Sequence, residues 1–406
     1  MAYTQIIVLG NGFDLAQQIP SSYPDFFLYR YREYRESDGS VPHLLQKLSD
    51  KPFGGICIWD YLFAFWHDSD KELKEWKDVE TAIGEWVIGE GQISFADAIG
   101  YWKVTSTRDT SRQRDDWPAD VQHVYTMVKN RLRYKVDFSV LADLADSTDK
   151  EEAQIKKKEE ALVKFKESVL GIFASELHVI EDSFANYLDA VVKERPTYDD
   201  GCDVTYKNIA KAGGTEVPLE EQSNAILSFN YTVPMALVND PSVYYIRNVH
   251  GDLPRREDEI LSGYEYHVVF GIDGQSCMNQ PGVYQFTKTA RVLTLRRQHI
   301  LDAMRNKTLF DAQNNGDGIA EVKVFGHSLG EADYSYFQSL FDLIDLYGGK
   351  TRLTFCGTGD YPVNPDAVIR LMTKYGETIV PEAHGKNLLH KLLLEDRLKI
   401  DEISPL

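Results

Sequence analysis

The chain is predicted to be an α/β protein, a mostly parallel sheet split by a large α-helical insertion. Three observations predict it. An apolar run, Gln5 to Leu9, ends in Gly10-Asn11-Gly12 and leads into a helix. Short apolar runs bounded by Gly, Asn, Asp or Pro recur in the second half, with helical stretches between several of them. From about Trp59 to Val192 strand signals nearly vanish. Alternating strands and helices imply a parallel sheet. The sheet domain is therefore expected in residues 1–45 and 221–406, with residues 46–220 as the insertion.

Taken in order, Gln5–Leu9 is the first strand. Glycine permits a tight turn and close approach of a ligand to the backbone, and the amides of the following helix start can face a phosphate. This is how nucleotide-binding, Rossmann-like sheets open. The dinucleotide fingerprint is incomplete here. Its third glycine is missing, and Asp14 sets a carboxylate where phosphate would sit, so an ordinary strand-to-helix turn is the alternative. In the insertion Asp70–Val87, Pro118–Leu132 and Lys156–Val192 read as helices, and the charge-dense Glu151–Glu160 as a solvated helix face. The polar segment Gly201–Glu220 reads as the return linker. The later strands are Ala225–Phe229, Val243–Val249, His267–Ile272, Glu321–Phe325 and Thr351–Cys356. Lys288–Arg305 and Ser335–Leu346 carry apolar residues at helical spacing.

Composition narrows the functional classes. With 43% hydrophobic residues in 406, a sizeable core is expected. A formal charge of −19 opposes nucleic-acid binding. No apolar run is long enough to predict a membrane span. The chain reaches its first strand without a signal-sequence pattern. Cys57, Cys202, Cys277 and Cys356 are scattered, with no Cys-x-x-Cys pair to suggest zinc or redox chemistry. No metal is expected, and a reducing, cytoplasmic location fits best.

Three further segments place polar residues after a strand: Leu227-Ser228-Phe229-Asn230-Tyr231-Thr232, Asn248-Val249-His250-Gly251-Asp252, and Val324-Phe325-Gly326-His327-Ser328-Leu329-Gly330-Glu331-Ala332-Asp333. Ligands of open parallel sheets collect at this carboxyl edge. The alternative is that these residues form turns and caps. Asp333 is then the cap of the helix that follows.

The opening GNGFDLAQQIPSSYPDF, Trp76-Lys77-Asp78-Val79-Glu80, the SFNYT and VHGD segments and GHSLGEAD together resemble the AbiH family of bacterial abortive-infection proteins over nearly the whole chain. The resemblance implies a role in defence against phage. A second resemblance is to sirtuin-like NAD-consuming domains. It rests on the Gly-x-Gly turn, Ile19-Pro20 with Asp25-Phe26, Asn230, His250-Gly251, and Gly326-His327-Ser328-Leu329, in that order. Thr232 stands where an acidic residue is usual in that family, Asp14 where a small or hydroxyl residue is usual, and the four-cysteine zinc module is absent. The last of these departures points away from protein deacetylation and leaves NAD hydrolysis as the better analogue.

The implied reaction is cleavage of the nicotinamide–ribose bond, with NAD as substrate. His250 is the expected base and Asn230 orients water or ribose. Gly10, Gly12 and Ser328 are expected at the diphosphate, Asp14 at ribose hydroxyls, and Asn11, Thr232, Gly326 and His327 elsewhere in the nucleotide site. Whether Glu80 enters that site stays open. Two other classes remain: a nucleotide-binding sensor without turnover, and a metal-dependent nuclease or nucleotide hydrolase using Asp14, Asp25, Asp252 or Asp333. A toxic NADase needs restraint in healthy cells; release of that restraint by a partner defence protein or by assembly of a homo-oligomer is left open by the sequence.

Overall fold

The structure is a computed structural model that describes residues 3–71, 73–106, 117–145, 152–253, 268–274, 277–294 and 318–404. It divides into two compact units. The sheet unit comprises Met1–Ser22, Ala185–Val268 and Val292–Leu406, and the helical unit Tyr23–Phe184 and Val269–Arg291.

Among the described residues of the sheet unit, six strands form one sheet: β1 (Tyr3–Leu9), β2 (Gln222–Ser228), β3 (Val243–Asn248), β4 (Glu321–Phe325), β5 (Arg352–Gly357) and β6 (Leu398–Glu402). All neighbours are parallel and the order is β3-β2-β1-β4-β5-β6. This is the order of doubly wound dinucleotide-binding folds, so the Rossmann-like sheet with a helical insertion is present. Central parallel strands are covered on both faces and read as continuous apolar runs, which is why β1, β2, β4 and β5 were legible. On one face Ile6, Val8, Val322, Val324, Leu353 and Phe355 pack with Phe337, Phe341, Leu371 and Met372, which come from the helices Tyr334–Leu343 and Pro365–Gly376. The second helix starts where its sequence dictates. Pro365 sits in its first turn and the Asn364 side chain accepts from the amides of Asp366 and Ala367. Toward the helix Tyr198–Lys211 the sheet presents polar side chains. Gln5 Nε2 and Lys323 Nζ both donate to the Ala210 carbonyl, at 3.2 and 2.7 Å.

The helical unit is built on aromatic packing. Trp59, Trp86, Trp102 and Phe173 are fully buried. Trp59 and Trp86 each lie 5.5 Å from the Phe173 ring. Both indole N–H groups with carbonyl partners, Trp59 to Phe173 and Trp102 to Tyr125, satisfy them at 2.8 and 2.9 Å. Helices occupy Trp76–Ile88, Ala119–Leu132 and Glu152–Lys193; the last two are close to the predicted bounds, while the helix predicted from Asp70 begins at Trp76. The charged start of the last is solvent-exposed, as predicted. No helix among the described residues is long and apolar enough to cross a membrane.

Several expectations are corrected. The predicted strand His267–Ile272 adds nothing to the sheet. His267 lies outside the described residues, and Val269–Ile272 belongs to the helical unit. There the Phe270 amide donates to Glu181 Oε1 at 2.7 Å and the Ile272 amide to the Phe286 carbonyl at 2.9 Å, so the backbone is satisfied without a strand partner. Most of the predicted helix Lys288–Arg305 also lies outside; Lys288–Thr294 is helical. The supposed linker Gly201–Glu220 begins within the helix Tyr198–Lys211, which packs on the sheet. The bounds of the helical unit accordingly differ from 46–220: it starts at Tyr23, ends at Phe184 and gains Val269–Arg291. Strand β6 was not anticipated.

Glu80 lies in the helical unit, where Lys288 Nζ sits 2.8 Å from Oε1 and 3.0 Å from Oε2, both side chains buried. Removing one partner takes the opposite charge away from a group that stays buried. Glu80→Leu or Lys288→Leu alone should cost about 3–5 kcal/mol, and the double variant markedly less. Urea unfolding of the three variants checks this; equal losses would mean that the ion pair is not what the unit loses.

Candidate active site

Strand register assembles the site. Ser228 pairs with both Leu9 and Asn248, so Asn230 and His250 each lie two residues beyond a paired position on adjacent strands. The ladder continues past the strand ends. The Phe229 amide donates to the Leu9 carbonyl at 2.7 Å, and the Val249 amide to the Ser228 carbonyl at 2.8 Å.

A chain of buried polar groups then crosses the carboxyl edge. Asn230 Nδ2 donates to the Gly10 carbonyl at 3.0 Å. Asn248 Nδ2 donates to the carbonyls of Asn230 and Thr232, at 2.7 and 2.9 Å. Thr232 Oγ1 lies 2.9 and 2.8 Å from the two carboxylate oxygens of Asp14, and the Tyr198 hydroxyl donates to Oδ1 at 2.8 Å. Asp14 is buried, and its pKa is pushed up to about 6: desolvation raises it more than the Thr232 and Tyr198 hydrogen bonds lower it. Burial, with the Asp14 charge beside it, holds the Tyr198 hydroxyl well above its ordinary value. One atom of this chain stands apart. Asn230 Oδ1 is buried and has no hydrogen-bond partner among the described residues. A buried acceptor left unpaired costs about 1–3 kcal/mol and calls for an explanation.

The glycines do a different job from the one expected. A Cβ on Gly10 would lie 2.4 Å from the His327 Cα, and one on Gly12 2.6 Å from the Gly326 Cα. Gly326 has φ +67° and abuts Gly12 in turn. The turns after β1 and β4 thus meet backbone to backbone. Their amides are also spent. Gly10 N donates to the Phe325 carbonyl, Gly12 N to Gly326, Phe13 N to Gly10 and Asp14 N to Asn11, at 2.8–3.1 Å. Asn11 Oδ1 accepts from the Ser21 hydroxyl at 2.7 Å. Ser328 is exposed.

Two histidines share one carboxylate. Asp333 Oδ1 is 3.0 Å from His250 Nε2, and Oδ2 is 3.5 Å from His327 Nε2. The Phe229 ring meets both imidazoles edge-on, at 5.3 and 4.4 Å, and stacks on Phe337. His327 Nδ1 accepts from the Leu329 amide at 2.8 Å, which puts the ring proton on Nε2. His327 therefore has both nitrogens committed.

The predicted residues Asn230, His250, Asp14 and Thr232 lie at one edge of the sheet unit. Sequence reasoning missed Tyr198 and Asn248 as members, although Asn248 stands in a segment singled out for its neighbour. Asp25 and Glu80 belong to the helical unit. A cavity of about 620 Å³ in that unit, lined by Tyr23, Phe27, Val41 and His67 among others, contains none of the predicted site residues. All four cysteines are free and buried. Among the described residues no His, Cys, Asp and Glu side chains converge as a metal-ligand set.

A buried carboxyl with a raised pKa binds its proton more tightly in the folded state. Its stabilising contribution is present in full below pH 3.8 and is lost as pH rises through about 6. Relative to Asp14→Asn, the wild type should thus lose about 2.4 kcal/mol between pH 4 and pH 7.5. Denaturant titrations of the two proteins at both pH values check it. A wild type that gains on the variant with rising pH would show that the hydrogen bonds outweigh burial.

No curated protein and no solved structure gives a significant match to the chain. Residues 6–355 match a family model described as bacteriophage abortive infection AbiH. The chain therefore belongs to the AbiH family, and a role in abortive infection follows from that membership.

Proposed function

We propose that this AbiH chain is an abortive-infection effector that hydrolyses NAD to nicotinamide and ADP-ribose at the carboxyl edge of β1, β2 and β3. The observation that carries the reading is the juxtaposition of Asn230, with its buried unpaired Oδ1, and His250 at neighbouring strand ends. Dinucleotides lie across this edge in sheets of this order. The sirtuin-like serial order of Gly10-Gly12, Asn230, His250 and Ser328 supports the same substrate.

The chemistry suits these groups. The nicotinamide–ribose bond breaks with its electron pair going to the pyridinium nitrogen, so the leaving group needs no acid. The ribose passes through an oxocarbenium-like state. Water adds to the anomeric carbon as His250 takes its proton. Asn230 Oδ1 accepts a hydrogen bond from that water or from a ribose hydroxyl. Asp14, already engaged by Thr232 and Tyr198, supports the turn next to the ribose. Ser328, the exposed hydroxyl of the set, meets the diphosphate; the spent amides of Gly10 and Gly12 serve the fold.

A second reading, nucleotide sensing without turnover, draws on one observation: His250 is only 3% exposed. One assay separates the two. Purified protein should release nicotinamide from NAD, and His250→Ala and Asn230→Ala should each lose at least about a hundredfold while remaining folded by circular dichroism. NAD should also raise the Tm. Stabilisation without release would favour the sensor; neither effect would refute NAD as ligand.

A further inference from the structure

Strand β6 ends the sheet, with β5 on one side and no strand on the other among the described residues. Its register shows which backbone groups are spent. The Leu353 amide donates to the Arg397 carbonyl at 2.7 Å, and the Ile403 amide to the Gly357 carbonyl at 2.8 Å. In a parallel pair of this register the odd-numbered residues from Arg397 to Ile403 bond to β5. Leu398, Ile400 and Glu402 therefore turn their N–H and C=O groups outward, and no backbone group among the described residues bonds to them. Ile400 is 51% exposed. Leu393 and Leu394, at the end of the helix Glu382–Leu394 that leads into β6, are exposed as well.

We propose that β6 pairs antiparallel with β6 of a second copy of the chain, about a two-fold axis at Ile400, joining the two sheets edge to edge.

The strand's own sequence selects this partner and register. Charges on an edge strand ordinarily discourage pairing, and like charges directly opposite are destabilising. A two-fold axis sets each strand against its own sequence reversed. Centred on Lys399 it brings lysines together, on Asp401 aspartates and on Glu402 glutamates; centred on Leu398 it sets Lys399 against Arg397. Centred on Ile400 it sets Lys399 opposite Asp401 on both sides of the axis, Leu398 opposite Glu402, and Ile400 against its copy. The same centre matches the outward groups. Ile400 exchanges both backbone hydrogen bonds with its copy, and Leu398 exchanges them with Glu402. Lys399 and Asp401 then fall at a non-hydrogen-bonded pair, where side chains come closest. Neither charge is locked elsewhere. Lys399 meets Asp396 at 2.9 Å in an exposed pair of the kind that contributes little. Asp401 accepts the Gly213 amide on Oδ2 at 2.7 Å, which leaves Oδ1 for the lysine.

The test is sedimentation velocity on the full chain, with circular dichroism to show that each variant is folded. The wild type should sediment as a two-chain species. Ile400→Pro removes only an outward donor, which an edge strand tolerates, and should sediment as a single chain. Lys399→Asp sets like charges opposite and should weaken association at least about tenfold. Combining Lys399→Asp with Asp401→Lys should restore it, because the exchanged charges meet each other again. Ile400→Cys should close a disulfide between copies on mild oxidation, since a hydrogen-bonded antiparallel pair sets its Cα atoms about 5.5 Å apart; the native cysteines are all buried. A wild type that stays a single chain at the highest soluble concentration would overturn the proposal. So would a two-chain species that persists in folded Ile400→Pro and Lys399→Asp proteins, or one that Ile400→Cys fails to cross-link. The charge exchange and the cross-link decide the matter even if Ile400→Pro does not fold.

Discussion

Backbone contact between the turns after β1 and β4 is the constraint on which the site depends. Those two strands flank the point where strand order reverses, and there a doubly wound sheet ordinarily opens a crevice. In this chain Gly10 and Gly12 meet Gly326 and His327 so closely that no side chain fits between them. Main chain fills the space between the two turns at that level. What remains of the carboxyl edge lies over β1, β2 and β3, and the polar residues gather there.

The closure also explains how the parts are held. With Gly326 locked against Gly12, His327 is fixed in place, and its committed nitrogens fix one side of Asp333. Asp333 in turn reaches His250 at the end of β3. From the other side, Asn230 is tied to Gly10, Asn248 to Asn230 and Thr232, and Thr232 to Asp14. Buried polar networks of this kind are costly unless their members are satisfied. Within this network Asn230 Oδ1 is the acceptor left without a partner among the described residues, and the proposed reaction gives it one.

Much of this was legible in the sequence because strand ends announce themselves. An apolar run followed by Gly, Asn or His marked β1, β2, β3 and β4 and put Asn230 and His250 in view. The order of the strands was not legible, since register depends on pairing between distant segments. Strand β6 escaped because it is a short, charged edge strand with little apolar signature. Val269–Ile272 was misread because a buried apolar run looks the same whether its neighbour is a strand or a helix. Tyr198 gave no local sign: it begins a polar helix, and its partner Asp14 is 184 residues away. Asp333 did look like a helix cap. Only the fold shows that its carboxylate faces two histidines instead.

The most direct test of the account is a crystal structure of the chain with ADP-ribose. The account predicts the ligand across the carboxyl ends of β1, β2 and β3, with Asn230 Oδ1 accepting a hydrogen bond from a ribose hydroxyl or an ordered water and His250 at the ribose. Ligand bound elsewhere, with Asn230 Oδ1 still unpaired, would contradict it.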